Sequence, residues 1–187
     1  MNFEDMLCLY NTDHTRGISR VNLDEAALLW SNVKAYRNRS FIKRPTVLEI
    51  GTRFGGTTAL LLAAECRVIT VDLAPEIDPQ VADMLSVHEA TGRLVSVVGD
   101  SKELVLTGPV DIIFIDGDHT YKGVLGDVEQ HWPELKTHGL AIFHDARPCK
   151  PGHSEGVARV VDELIQEGRV KVVETVRSTV VLEKLED

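Results

Sequence analysis

From residue 46 onward, short runs rich in β-branched residues alternate with segments of helical periodicity, and this alternation constrains the fold more than any other feature. Such runs suit strands buried on both faces, and the helical segments between them supply the crossovers that parallel strands require. Strands are expected at TVLEI (46–50), RVITVD (67–72), RLVSVV (93–98), VDIIFID (110–116) and GLAIFH (139–144), and helices at 56–65, 78–90, 101–106, 120–135 and 155–167. Two more runs, VKVVETV (170–176) and TVVLEKL (179–185), have only Arg177 and Ser178 at their junction. That is too short for a parallel crossover, so this pair should be antiparallel. The pattern is that of an α/β chain with helices on both faces of one mostly parallel sheet.

Within the helical segment after residue 120, Tyr121, Val124, Leu125, Val128 and Trp132 recur at helical spacing and should bury one stripe. Upstream, residues 17–36 read as a helix entered near Asn22 as a cap, with Leu23, Ala26, Ala27, Trp30 and Val33 on one face. With 187 residues, no repeat and no linker, one core is expected: residues 1–45 as a helical cap and 46–187 as the sheet-bearing core.

Parallel strands present their C-terminal ends on one edge, where open α/β sheets bind ligands. On that edge the sequence puts six carboxylates: Glu49, Asp72, Asp100, Asp116, Asp118 and Asp145, with His119 and His144 beside them. An acid at a strand end often caps the next helix, and any one of these could do so. Six together raise one another's pKa values unless cations or hydrogen-bond donors lie among them, so the edge calls for a donor-rich, positively charged ligand.

The stretch LEIGTRFGGTTALLLA sets glycines between a strand and a helix, and Asp72 follows Gly51 by 21 residues, near the spacing of a ribose-binding acid. The pattern G-T-R-F-G-G has Arg53 where a dinucleotide fingerprint has its second glycine, which disfavours a pyrophosphate cradle. S-adenosylmethionine has no phosphate and carries a sulfonium cation, ribose hydroxyls and an adenine amine, all suited to carboxylates.

EIGTRFGGTT, VITVD, VVGDS, DIIFIDGDHTYKGVLGD and GLAIFHD resemble successive motifs of class I S-adenosylmethionine-dependent methyltransferases, in particular the small branch of macrocin O-methyltransferase-like and cephalosporin-hydroxylase-like proteins. The resemblance runs from about residue 46 to the C-terminus. It implies a Rossmann-like three-layer sandwich whose seven-stranded sheet has an antiparallel last strand. It further implies that Gly51, with Thr52, Arg53, Phe54, Gly55 and Thr57, faces the methionine and sulfonium part of the cofactor. Glu49 would order that turn, Asp72 with Leu73 would hold the ribose, Asp100 with Ser101 would lie near the adenine, and Asp116 would border the cofactor. Arg53 and Phe54 depart from the small residues common in the superfamily.

By the same resemblance, Asp116, His144 and Asp145 would bind a divalent metal (magnesium, manganese or another), and His119 would be the general base. A metal beside the methyl group would lower the pKa of an acceptor hydroxyl, and a histidine titrating near neutrality can take its proton. Two bland readings stand beside this: His144 as a neutral histidine bonded to Asp145, and His119 as a helix-start residue. The loop ARPCKPG (146–152) with His153 has the composition of a substrate-covering segment.

Composition narrows the partners. A formal charge of −9 opposes nucleic-acid binding, no apolar run reaches membrane-spanning length, and Glu4 and Asp5 stand where a secretory signal would be basic. A cytoplasmic protein acting on a small-molecule hydroxyl acceptor is expected, with room for a homodimer whose copies complete one another's pocket. Cys8, Cys66 and Cys149 are too dispersed for a metal or redox motif, and His14, His88, His131 and His138 show no partner pattern. Rival readings are a silent S-adenosylmethionine-binding sensor or partner domain and a metal-dependent hydroxylase or hydrolase.

Overall fold

The structure, a computed structural model, describes residues 18, 21–147 and 155–185. Of the anticipated loop 146–152 only Ala146 and Arg147 are described; its remainder with Cys149, and His153, Cys8 and His14, lie outside the described residues. Among the described residues the order is α1 (Leu23–Ser40), β1 (Thr46–Ile50), α2 (Gly56–Ala63), β2 (Arg67–Asp72), α3 (Pro79–Ala90), β3 (Leu94–Val98), β4 (Val110–Ile115), α4 (Tyr121–His131), β5 (Leu135–Phe143), α5 (Glu155–Gln166), β6 (Val170–Val176) and β7 (Thr179–Lys184).

The strands form one seven-stranded sheet in the order β3-β2-β1-β4-β5-β7-β6. β1 pairs in parallel with both β2 and β4, and β4 with β5, whereas β7 is antiparallel to both β5 and β6. The chain therefore reverses its direction of growth across the sheet between β1 and β4, and the crevice of an open α/β fold is expected there.

Period-2 alternation explains how β4 is buried on both sides. Ile112 and Phe114 join the core under α1, α2 and α3, whereas Ile113 and Ile115 join the core under α4 and α5; Val110, across the register shift from Ile112, joins the second side out of phase. The central strands β1 and β5 divide in the same way, with Val47, Leu140 and Ile142 on the first side and Leu48, Ile50, Ala141 and Phe143 on the second. Three layers result from that pattern.

Several sequence expectations shift. The helix expected at 101–106 is only a 3-10 turn, Ser101–Glu103, because the chain is already extended at Leu104. The helix expected to run to 135 ends at His131 and tightens into a 3-10 turn over Trp132–Glu134, where Pro133 cannot continue the hydrogen-bond ladder. β5 begins at Leu135, earlier than Gly139, with a register shift where it passes Val110 and Ile112.

The largest shift concerns α1. It starts at Leu23, and Leu23 is exposed, while Glu25, Leu28, Leu29, Asn32 and Tyr36 are buried along with Ala26 and Val33. The apolar pattern had no place for Glu25 and Asn32, which are buried because they have partners on the β6–β7 hairpin: Asn32 Nδ2 donates to Glu174 Oε2 at 2.9 Å. At the opposite edge of the sheet, Asp111 accepts from Lys136 Nζ at 2.7 Å, Tyr36 Oη at 3.2 Å and Thr46 N at 2.8 Å, tying α1 to the start of β1 and β4.

Candidate active site

The turn after β1 approaches the end of β4 with no room for a side chain. Gly51 has φ +100°, and a Cβ there would lie 2.3 Å from the carbonyl oxygen of Asp116. Arg53 also adopts a left-handed backbone, φ 47°, and its N–H donates to Asp72 Oδ2 at 2.8 Å. Ala74 N donates to the other oxygen, Oδ1, at 2.9 Å. Asp72 therefore orders the turn, and each oxygen keeps a second acceptor site for a ligand. Thr52 is buried with its hydroxyl 2.6 Å from that of Thr70, and the Arg53 guanidinium lies 5.1 Å from the centre of the Phe54 ring.

Glu49 is fully buried and accepts from the Thr58 hydroxyl at 2.5 Å, while its Oε1 has no hydrogen-bond partner. Desolvation pushes its pKa up to about 8, against the pull of Thr58 and Thr70, so at neutral pH it is mostly protonated. Thr58 lies in the first turn of α2, so this bond ties the end of β1 to the start of that helix.

A cleft of about 330 Å³ opens at the ends of β1, β2, β3 and β4. Of the residues assigned to the cofactor, Gly51, Arg53, Asp72, Leu73, Asp100, Ser101 and Asp116 line it, whereas Glu49, Thr52, Phe54, Gly55 and Thr57 do not. Sequence reasoning missed Lys102 and Asp127. Lys102 pairs with Asp100 Oδ1 at 2.8 Å, and Asp127, on α4, accepts from Ser101 Oγ at 2.5 Å. His131 Nε2, 2.8 Å from the Ser101 carbonyl, supports the same segment from behind. Asp127 lies two turns into α4, which follows directly on the cleft-lining residues Asp116, Gly117 and Asp118.

One of the edge carboxylates, Asp100, caps the turn that follows it, and a second, Asp118, closes a local turn before Thr120, the residue that caps α4. Asp100 accepts from Lys102 N at 3.0 Å, and Asp118 from Thr120 N and Oγ1, both at 2.9 Å. Asp116 and Asp145 do something else. Backbone bonds continue the sheet past both strand ends, Asp116 N to Ile50 O at 2.9 Å and His144 N to Ile115 O at 3.1 Å, so the two chains still run side by side where their charged residues emerge. There His144 Nδ1 lies 2.8 Å from Asp116 Oδ1 and 3.7 Å from Asp145 Oδ2. His119 bridges the same two acids, Nε2 at 3.5 Å from Asp116 and Nδ1 at 3.5 Å from Asp145. Asp145 holds a left-handed backbone, φ 54°, which for a residue with a side chain costs energy and is commonest where a site fixes it.

Gly117 is held to close quarters, a Cβ there falling 3.2 Å from Ile50 Cγ2. Gly156, in the first turn of α5, is tighter still, with a Cβ position 2.6 Å from the His119 carbonyl oxygen and 2.2 Å from Tyr121 N.

A fifth member was invisible from sequence: Glu25 of α1, fully buried, with Oε2 3.5 Å from His144 Nε2. The electrostatics are mutual. Burial alone would raise the Asp116 pKa, but His119 and His144 together hold it below the ordinary carboxylate value. Burial pulls His144 down, yet Asp116 and Glu25 outweigh it and raise the ring to about 10. The hydrogen bond to Asp116 likewise raises His119, against its own desolvation. The thiol of Cys66, by contrast, is buried in the core and pushed up to about 12, an inert group.

Among the described residues, no three His, Cys, Asp or Glu side chains form a ready metal-ligand set. The donor chemistry nevertheless suits a divalent ion. Asp116 and Asp145 offer carboxylates from adjacent strand ends, His144 turns Nδ1 toward both, and its other nitrogen is backed by a carboxylate, as ligating histidines usually are.

Comparisons with known proteins bear on the fold. In solved structures the fold is similar to that of a methyltransferase from Podospora anserina with S-adenosylhomocysteine bound (17% identity, covering 91% of this chain and 81% of that one, TM-score 0.64). It is also similar to the O-methyltransferase TomG from Streptomyces achromogenes in complex with S-adenosylmethionine (16% identity, 97% and 89%, TM-score 0.65). A third similar structure is the mycinamycin methyltransferase MycE with magnesium, S-adenosylhomocysteine and mycinamycin VI (16% identity, 98% of this chain but 53% of that one, TM-score 0.66). No curated protein sequence matches. A family model described as a methyltransferase domain matches residues 48–146, from β1 through the His144–Asp145 pair, and with more than half of its length inside that match the chain belongs to the methyltransferase-domain family.

Proposed function

We propose that this protein is an S-adenosylmethionine-dependent O-methyltransferase that acts on a hydroxyl of a small molecule with help from a divalent ion. Asp116 carries the reading, because it lines the cleft assigned to the cofactor and is also the carboxylate on which His119 and His144 converge. Cofactor and proton acceptor thus share one strand end. A cytoplasmic setting and a small acceptor, not a nucleic acid, go with the net charge of −9. No described helix is long and apolar enough to cross a membrane.

In the reaction the acceptor oxygen forms a bond to the methyl carbon as the carbon–sulfur bond breaks, leaving the thioether product. No covalent enzyme intermediate is needed, so the chain's tasks are alignment and removal of the hydroxyl proton. The cleft aligns the donor: Asp72 takes the ribose hydroxyls, and the segment at Asp100 and Ser101 takes the adenine. Neutral His119 receives the acceptor's proton, and Asp116 and Asp145 stabilise the resulting imidazolium. Asp116, His144 and Asp145 would hold the divalent ion, which when bound would lower the pKa of the acceptor hydroxyl. Since Asp116 raises the His119 pKa, the neutral base becomes more abundant above the ordinary histidine range, and the rate should climb with pH there.

The test is calorimetry with S-adenosylmethionine and with NAD, followed by transfer of labelled methyl to a panel of catechols, sugars and hydroxylated macrolides with and without chelator. Binding of S-adenosylmethionine and labelled product that declines on chelation are expected. Binding of NAD alone would refute the cofactor assignment, and full activity after exhaustive chelation would remove the ion from the mechanism.

A further inference from the structure

Glu25 lies outside the stretch matched by the methyltransferase family model, on the helix that precedes the sheet, yet its carboxylate reaches the catalytic edge. Its environment is more elaborate than a helix cap needs. Oε2 accepts from Asn22 N at 3.0 Å and Asn22 Nδ2 at 2.9 Å, which completes a capping box. Oε1 is gripped separately by the β6–β7 turn, accepting from Ser178 N at 3.1 Å, Ser178 Oγ at 2.6 Å and Thr179 Oγ1 at 3.1 Å. The neighbouring cation Arg177 pairs with Asp24 at 2.5 Å. The charged partner facing the buried carboxylate is the ring of His144, 3.5 Å from Oε2. A fully buried carboxylate fixed by five donors and aimed at one edge of an imidazole defines where that edge points.

We propose that Glu25 is a positioning residue for His144: it holds the ring by Nε2–H so that Nδ1 faces the gap between Asp116 and Asp145. The proposal rests on reading that gap as the centre that activates the acceptor, but it concerns the orientation of one ring and can be judged separately. Catalytic geometry here would depend on a helix and a hairpin that lie outside the cofactor-binding half of the sheet. An imidazole free to turn about its χ2 bond would present Nδ1 or Cδ2 to the gap, and only the first can meet Asp116.

The experiment reads the His144 imidazole in the intact protein labelled with ¹⁵N-histidine, its signals assigned by their loss in His144→Asn. The wild type is expected to show a protonated, slowly exchanging Nε2; a ring protonated at Nδ1 alone overturns the proposal, whether or not any variant folds. Glu25→Gln is expected to shift or abolish the Nε2–H signal, whereas Val33→Ala, which loosens the core of the same helix eight residues from Glu25, should leave it in place. Equal ring shifts in the two variants, or none in Glu25→Gln, would make Glu25 a mere tie between helix and hairpin. With Mn²⁺ as probe, Glu25→Gln should weaken ion binding by about 10- to 100-fold with S-adenosylmethionine affinity unchanged. A wild type that takes up no Mn²⁺ would count against the ion in the proposed function, and the ring signals would still decide the role of Glu25.

Discussion

The two halves of the carboxylate-bearing edge use the same residue type for different work. At the ends of β2 and β3, Asp72 and Asp100 accept from backbone amides and so hold the turns that form the cleft. At the ends of β4 and β5, Asp116 and Asp145 meet imidazoles, and the group they control is a proton-carrying ring. The difference comes from the residues next to each strand end. A carboxylate that leads into a tight turn finds N–H groups within two residues, whereas one beside a histidine on its own or the next strand finds a titratable partner. An acid at a strand end is therefore uninformative until its donors are known.

The sharpest way to break this contrast is at His119. His119→Ala should lower the methyl-transfer rate by about 10²- to 10⁴-fold with cofactor affinity nearly unchanged, and the deficit should shrink as pH rises and hydroxide competes as base. Rate–pH profiles of the two proteins measure both effects. If the variant keeps full activity and loses only stability, the β4–β5 half is as architectural as the other.

On the cofactor side the expected loss is in binding. Asp72→Ala should weaken S-adenosylmethionine by roughly 1.5–3 kcal/mol, the scale of hydrogen bonds to a charged group, through lost ribose contacts and a loosened Arg53 turn. Calorimetry on both proteins checks it, and an unchanged dissociation constant would sever Asp72 from the cofactor.

Glu49, buried beside Asp72 and Asp116 and bonded to Thr58, gives the contrast a pH dependence. Its folded pKa of about 8 lies above the ordinary value of 4.5, so its contribution to stability is fully present below pH 4.5 and is lost as pH rises toward 8. Denaturant melts should show a component of up to about 1.4 kcal/mol per pH unit across that window in the wild type, absent in Glu49→Gln. The rings on the other side act at higher pH: stability from His144 is present below about 6.5 and fades as pH approaches 10. Identical pH slopes for wild type and Glu49→Gln would mean the buried carboxyl is solvated.

The smallest effect is expected at Asp78, which caps α3 by accepting from Gln80 N at 2.9 Å and does not line the cleft. Asp78→Ala should cost about 0.5–2 kcal/mol of stability, read in melts, and leave cofactor affinity alone.

What could be read from sequence was what is local. Six of the seven strands, all but β5, were expected within one residue of their observed ends because each is a short apolar run between turn residues, and Asp116 and His119 could be paired because they are three residues apart. Glu25 could not be found that way: its partners Ser178 and His144 lie far along the chain, and its only local signature was a capping box with Asn22. Asn32 was hidden for the same reason, since a buried polar residue on a helix looks like an error in amphipathicity until the partner strand is in place. The shortened helices at Ser101 and Trp132 reflect turn chemistry, capping by Asp100 and the missing N–H of Pro133, that periodicity does not register.

The antiparallel placement of β7 has a practical corollary. Because β6 runs with the parallel strands, its end brings Ser178 to the rim that bears the cleft, and β7 then carries the chain back to the far rim. There the Lys184 ammonium is held by the carbonyls of Trp132 and Leu135 at 3.2 and 3.0 Å. A dye, bead or fused partner attached downstream of that anchor would begin its path at the rim opposite the one that bears the cleft, so immobilised or tethered forms can be made without screening the cleft.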